Sequence, residues 1–81
     1  VTGAPTWSRG RDDYGRSVHY LTSGMTFRTL GVVVRLPKAA IETHDGCKYL
    51  VNNWSLADRD AAVSYARTLS EAKRRLIEAT R

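Results

Sequence analysis

A single cysteine, Cys47, has nothing to pair with inside the chain, so no internal disulfide holds this protein together. A lone thiol agrees with a reducing compartment. No stretch approaches the ~20 consecutive apolar residues that span a bilayer. The first residues, Val1 to Trp7, lack the charged and apolar regions of a signal peptide. Together these absences make a cytoplasmic protein with no membrane partner the expectation. Metal ligands are scarce as well, limited among the softer types to His19, His44 and Cys47. His44 and Cys47 flank Asp45-Gly46, but a structural zinc site takes four such ligands. The chain also has no glycine-rich phosphate loop, because Arg9-Gly10-Arg11 does not precede a helical pattern.

Catalytic groupings are equally thin. His44 with Cys47 is the one thiol–imidazole pairing, and a working pair also needs an orienting third group, oxyanion donors and a concave pocket. Asp12-Asp13 sits between Arg11 and Arg16, where ion pairing explains it, and Asp58 and Asp60 suit the start of a helix. We therefore expect no catalytic residue, no metal, no cofactor and no small-molecule substrate, and a protein that is not an enzyme.

What the chain does have is positive charge, a formal +5 over 81 residues with a pI near 9.9. Residues 1–24 carry three Arg against two Asp, residues 25–54 four basic against two acidic, and residues 55–81 six against four. The excess is spread along the chain and interleaved with acids, which weakens a nucleic-acid reading without removing it.

Residues 1–15 read as a loosely ordered arm, broken by Gly3, Pro5, Gly10 and Gly15, with Trp7 or Tyr14 folding back onto the core. Residues 16–81 read as one α+β domain. Arg16 to Thr22 alternates like a strand, and Ser23-Gly24 suits a two-residue hairpin that pairs Thr22 with Met25 and sets Tyr20 opposite Phe27. The next strand runs from Thr26 to Leu36. Gly31 marks a bulge or bend in it, Val32-Val33-Val34 suits a central position, and Pro37 ends it. Asp45-Gly46 has the type I′ preference and predicts a second hairpin over Ile41–Val51, with Ile41 facing Leu50.

The last third predicts one long helix, Ser55 to Arg81, capped by Ser55 with Asp58 and carrying an apolar face at Ala62, Tyr65, Ala66, Leu69, Ala72, Leu76 and Ala79. A rival reading makes Ala61–Ala66 a further strand and caps a shorter helix at Thr68-Leu-Ser-Glu71. The continuous apolar face favours the long helix. The fold expected is thus α+β: an antiparallel meander of three or four strands followed by one long C-terminal amphipathic helix. That order is similar in outline to arm-type DNA-binding modules of phage integrases and to small antitoxin-like domains. No motif in these residues is specific to either, so the likeness is one of fold order alone.

Two functions follow from the surfaces of such a fold. The first is an interaction module, a homodimer or an adaptor or inhibitor of a larger protein, docking through Tyr65, Leu69, Ala72 and Leu76. The second is a nucleic-acid-binding module. It uses Arg9, Arg11 and Arg16 of the arm, with an Arg stripe at Arg59, Arg67, Arg74 and Arg81 that Glu71 and Glu78 partly neutralise. The diffuse charge tilts the sequence reading toward protein interaction.

Overall fold

Five antiparallel strands form one sheet in simple chain order, β1-β2-β3-β4-β5, and a C-terminal helix packs across it. The computed structural model describes residues 4–54 and 59–80. The strands are β1 (Thr6–Arg11), β2 (Ser17–Thr22), β3 (Thr29–Arg35), β4 (Tyr49–Asn53) and β5 (Val63–Ala66). Among the described residues three helices interrupt or follow them: α1 (Lys38–Thr43), the single turn α2 (Arg59–Ala62) and α3 (Leu69–Ala79). The α+β class stands. The strand number is five, not three or four.

Three local expectations are corrected, each for a physical reason. First, residues 6–11 are not a loose arm but an edge strand, pairing Trp7 with Leu21 and Arg9 with His19. Gly10 reads as a breaker, yet Trp7, Arg9 and Arg11 alternate with a period of two, the strand spacing. The two arginines also blunt the free edge against pairing with other chains. Trp7 packs against the core, whereas Tyr14 in the following loop is exposed.

Second, both hairpin readings fail. The Ser23 hydroxyl accepts the backbone N–H groups of Met25 (3.2 Å) and Thr26 (3.3 Å), and its carbonyl accepts that of Phe27 (3.0 Å). This side-chain capping builds a wider loop, so Thr22 pairs with Thr29 and Tyr20 with Val32, not with Phe27. Asp45 and Gly46 do take positive φ, 55° and 80°. They close α1 rather than a hairpin: the Gly46 N–H reaches back to the Ile41 carbonyl at 2.9 Å, the 6→1 bond of a Schellman cap. Lys38-Ala-Ala-Ile-Glu is a run of mostly good helix formers behind Pro37, which explains why the segment coils instead of extending.

Third, the long helix is divided. Val63–Ala66 forms β5 against β4, with Ala66 opposite Tyr49 and Ser64 opposite Val51. The helix proper begins at Leu69, and Thr68 caps it by accepting the Glu71 N–H at 3.2 Å. Val63 and Tyr65 prefer strands, and unpaired β4 backbone groups reward that preference with ladder hydrogen bonds. The proposed Ser55/Asp58 cap lies outside the described residues.

The core sits between the sheet and α3. Leu21, Val33, Val51 and Ala66 rise from one sheet face to meet Ala72 and Leu76. Gly31 lies beneath Leu76 and lets the helix approach, while the ladder slips between Leu21 and Thr22. Asn53, nearly fully buried, ties the far end of α3 by donating from Nδ2 to the Ala79 carbonyl at 3.4 Å. On the opposite sheet face His44 stacks on Tyr65, with ring centroids 4.1 Å apart. No helix among the described residues is long and apolar enough to cross a membrane.

Candidate functional site

α3 lies closest to β3, β4 and β5, and among the described residues no helix backbone comes as near to β1 or β2, which α3 reaches only through side chains. The register brings Arg9 beside His19 and Arg11 beside Ser17 there. Period-two alternation sets all four on the face that also carries Leu21 and Val33. From α3, Lys73 reaches toward this side and places its ammonium 5.1 Å from the centroid of the Trp7 ring. Arg9, Arg11, Ser17 and His19, with Gly10 and Val18, line a cavity of about 230 Å³.

His19 is the unusual member. It is 8% exposed, and its Nδ1 is the one buried side-chain polar atom among the described residues that lacks a hydrogen-bond partner. Burial lowers its pKa from the usual histidine value, and the positive charges of Lys73 and Arg9 lower it further. Among the described residues the two charges that act clearly on this imidazole are both positive.

The remaining arginines are not equivalent. Arg16 is held by Asp12, Nε to Oδ2 at 2.8 Å, with its guanidinium 5.0 Å from the Tyr14 ring centroid. Arg11 donates from one terminal nitrogen to the Gly15 carbonyl at 2.8 Å and keeps its other donors. Arg67 is exposed in the bend before α3, at the opposite edge of the sheet, and Arg74 is exposed on α3. Because the helix starts at Leu69, Arg67 and Arg74 do not share a helical stripe. The Arg59 side chain and Arg81 lie outside the described residues. Glu71 pairs with Arg75 at 2.8 Å, rather than with Arg67 or Arg74. Arg75 also donates to the Tyr65 carbonyl at 2.8 Å, fixing the start of α3 to β5.

The apolar candidates are mostly consumed by the fold. Ala72 and Leu76 are fully buried in the protein's own core, Leu69 packs against it, and Tyr65 lies half-buried under His44 on the other face. Cys47 is a free, half-buried thiol, and no group of three or more potential metal ligands forms among the described residues. Large apolar side chains are instead exposed at the sheet end that carries the β2–β3 loop: Met25 (77%), Phe27 (81%) and Trp54. Trp54 joins that end by donating its N–H to the Leu30 carbonyl.

The sequence reading identified Arg9 and Arg11 but missed His19 and Lys73 as their neighbours. The alternation of Trp7, Arg9 and Arg11 was the available signal for the strand. Nothing local foretold that Lys73, more than fifty residues away, would close the group. No protein-family profile, curated protein or solved structure matches the chain.

Proposed function

We propose that this protein is a small non-enzymatic module that binds nucleic acid along the β1–β2 side of its helix-bearing face. The observation that carries this reading is the grouping of Arg9 and Arg11 at one cavity with a buried histidine on which Lys73 and Arg9 act as positive charges. Diffuse charge in the sequence becomes a local positive patch in the fold, because strand pairing and α3 collect residues from both ends of the chain. The two arginines offer forked donors to phosphate oxygens, and Lys73 adds a point charge. Trp7, half-buried beside Lys73, gives the patch an aromatic neighbour of the type single-stranded nucleic-acid binders use for stacking.

Fluorescence anisotropy with labelled single-stranded and duplex oligonucleotides tests this across a salt series. Affinity should fall steeply with salt, and Arg9→Ala with Lys73→Ala should lower the logarithmic salt slope by about one per lost phosphate contact. Neutralising Arg16, which Asp12 already occupies, should change little. Absence of binding at low salt, or binding indifferent to Arg9 and Lys73, rules the reading out.

A second reading, a protein-interaction module, draws on Met25, Phe27 and Trp54. Phe27 holds φ at 57°, a conformation unfavourable for a bulky residue, while its ring stays in water. The contact surface would then be this sheet end and not the Leu69/Leu76 face. Sedimentation at rising concentration, for the native chain and for Phe27→Ser, checks the homodimer form.

A further inference from the structure

We infer that the cavity bounded by Arg9, Arg11, Ser17 and His19 receives a single phosphomonoester group, the terminal phosphate of a nucleic-acid strand. This rests on the nucleic-acid reading and names the part of the ligand that the pocket takes.

Size is the first argument. At about 230 Å³ the cavity falls below the range of roughly 300–1,000 Å³ typical of pockets that enclose whole small molecules. It has room for a phosphate group, and its open mouth leaves the attached nucleoside outside the cavity. Lining is the second. Arg9 and Arg11 stand two residues apart on β1 and Ser17 faces Arg11 across the ladder, so two guanidinium groups and a hydroxyl converge from adjacent strands. Guanidinium forks match the tetrahedral oxygens of phosphate and hold them with charge-assisted bonds.

The third argument is the incomplete state of His19. Its ring is more than nine-tenths buried, its Nδ1 has no partner, and Arg9 from β1 and Lys73 from α3 press positive charge on it. In the neutral ring one nitrogen donates and the other accepts. Burial disfavours the charged ring, and a second proton would also put another charge among cations, so the imidazole resists protonation here. An anion seated in the cavity offsets both cations and weakens that resistance.

The charge of the ligand separates a strand end from a strand interior. A terminal monoester carries about −1.5 to −2 near neutral pH, more than the single charge of an internal diester. Two arginines lining one small cavity, with Lys73 acting on its histidine, favour the higher charge. A monoester also leaves one side of the phosphate free to enter, whereas an internal diester has chain on both sides.

The test compares one single-stranded oligonucleotide with a 5′-phosphate and with a 5′-hydroxyl, by anisotropy, adding inorganic phosphate as competitor. The His19 ring resonances are followed by NMR with inorganic phosphate alone. The phosphorylated strand should bind about tenfold more tightly, the scale of one added charge-assisted contact. Inorganic phosphate should erase that difference and shift the His19 resonances, and Arg11→Gln should abolish the difference between the two ends. If both strands bind equally and phosphate leaves His19 unmoved, the cavity is not a phosphate site, while the broader nucleic-acid reading survives. If neither strand binds yet phosphate moves His19, the strand end is overturned as the ligand, and the nucleic-acid reading falls with it.

Discussion

Leu76 of α3 lies so close to Gly31 of β3 that a Cβ at position 31 would stand 2.6 Å from the leucine Cδ1. It would also stand 2.5 Å from the Asn52 carbonyl oxygen, on the neighbouring strand. The leucine can rotate away, but the carbonyl belongs to the β3–β4 region of the sheet and can retreat only by disturbing it. Gly31→Ala should therefore destabilise the fold by about 1–3 kcal/mol, the usual scale of overpacking. Leu76→Ala, which opens a cavity at the same contact, should cost about 2–5 kcal/mol. Either is a large share of the few kcal/mol available to so small a core. Urea denaturation of the two variants measures both. A Gly31→Ala protein as stable as the native one would mean that α3 does not sit this low on the sheet.

Thr68 sets where α3 begins, and its side chain accepts the Glu71 N–H. Thr68→Ala leaves that donor to water and should lower stability by about 1 kcal/mol, whereas Thr68→Ser or Thr68→Asp should retain most of it. Circular-dichroism melts of the three variants distinguish a cap from a residue that is merely nearby. Equal melting of the alanine and serine variants would show that the helix starts elsewhere.

The same residue shows how far the sequence could be read. Thr68-Leu-Ser-Glu71 was visible as a cap, and so was the rival at Ser55. What separated them was whether Val63–Ala66 found a strand to pair with, a fact held by β4 rather than by the segment itself. Asp45-Gly46 is a similar case. Its chemistry demanded positive φ and obtained it, but type I′ turns and Schellman caps share that demand. The residues before the turn decided the outcome. The α+β class and the termination of β3 before Pro37 were local enough to read, and so was an irregularity near Gly31, where the ladder slips, but not the approach of Leu76 to it. The grouping of Arg9, His19 and Lys73 was not, because it depends on which edge α3 leaves open.

Asp12 organises the β1–β2 loop by accepting the backbone N–H groups of Tyr14 and Arg16, both at 2.9 Å, and the Arg16 guanidinium. Desolvation works to raise its pKa, but these donors outweigh it and hold the carboxyl below the ordinary value of 3.8. A carboxyl depressed on folding stabilises the native state above its unfolded pKa. That contribution is lost as pH falls through the lower folded value. Asp12→Asn should therefore be less stable than the native chain at neutral pH, with the gap narrowing below about pH 4. Acid titrations of the melting temperature read this directly. A gap that persists unchanged into strong acid would assign the effect to geometry and not to charge.

His19 acts in the same sense, with stability rising with pH, but in a higher range. Burial, with Lys73 and Arg9, places its folded pKa below the ordinary 6.5. Between the two values the unfolded chain holds a proton that the native chain refuses, so stability rises with pH across that window. Above about pH 6.5 both states are neutral and the histidine contributes no slope. The native protein should thus lose stability as pH falls below about 6.5, well above the range in which Asp12 titrates. His19→Leu keeps the site apolar and cannot take the proton, so its melting temperature should be flatter between pH 7 and pH 5. Inorganic phosphate supplies the missing negative charge. Adding it should partly flatten the native profile, while in the leucine variant it should leave the slope between pH 7 and pH 5 unchanged. A phosphate effect of equal size in both proteins would mean that the anion stabilises the chain without reference to His19.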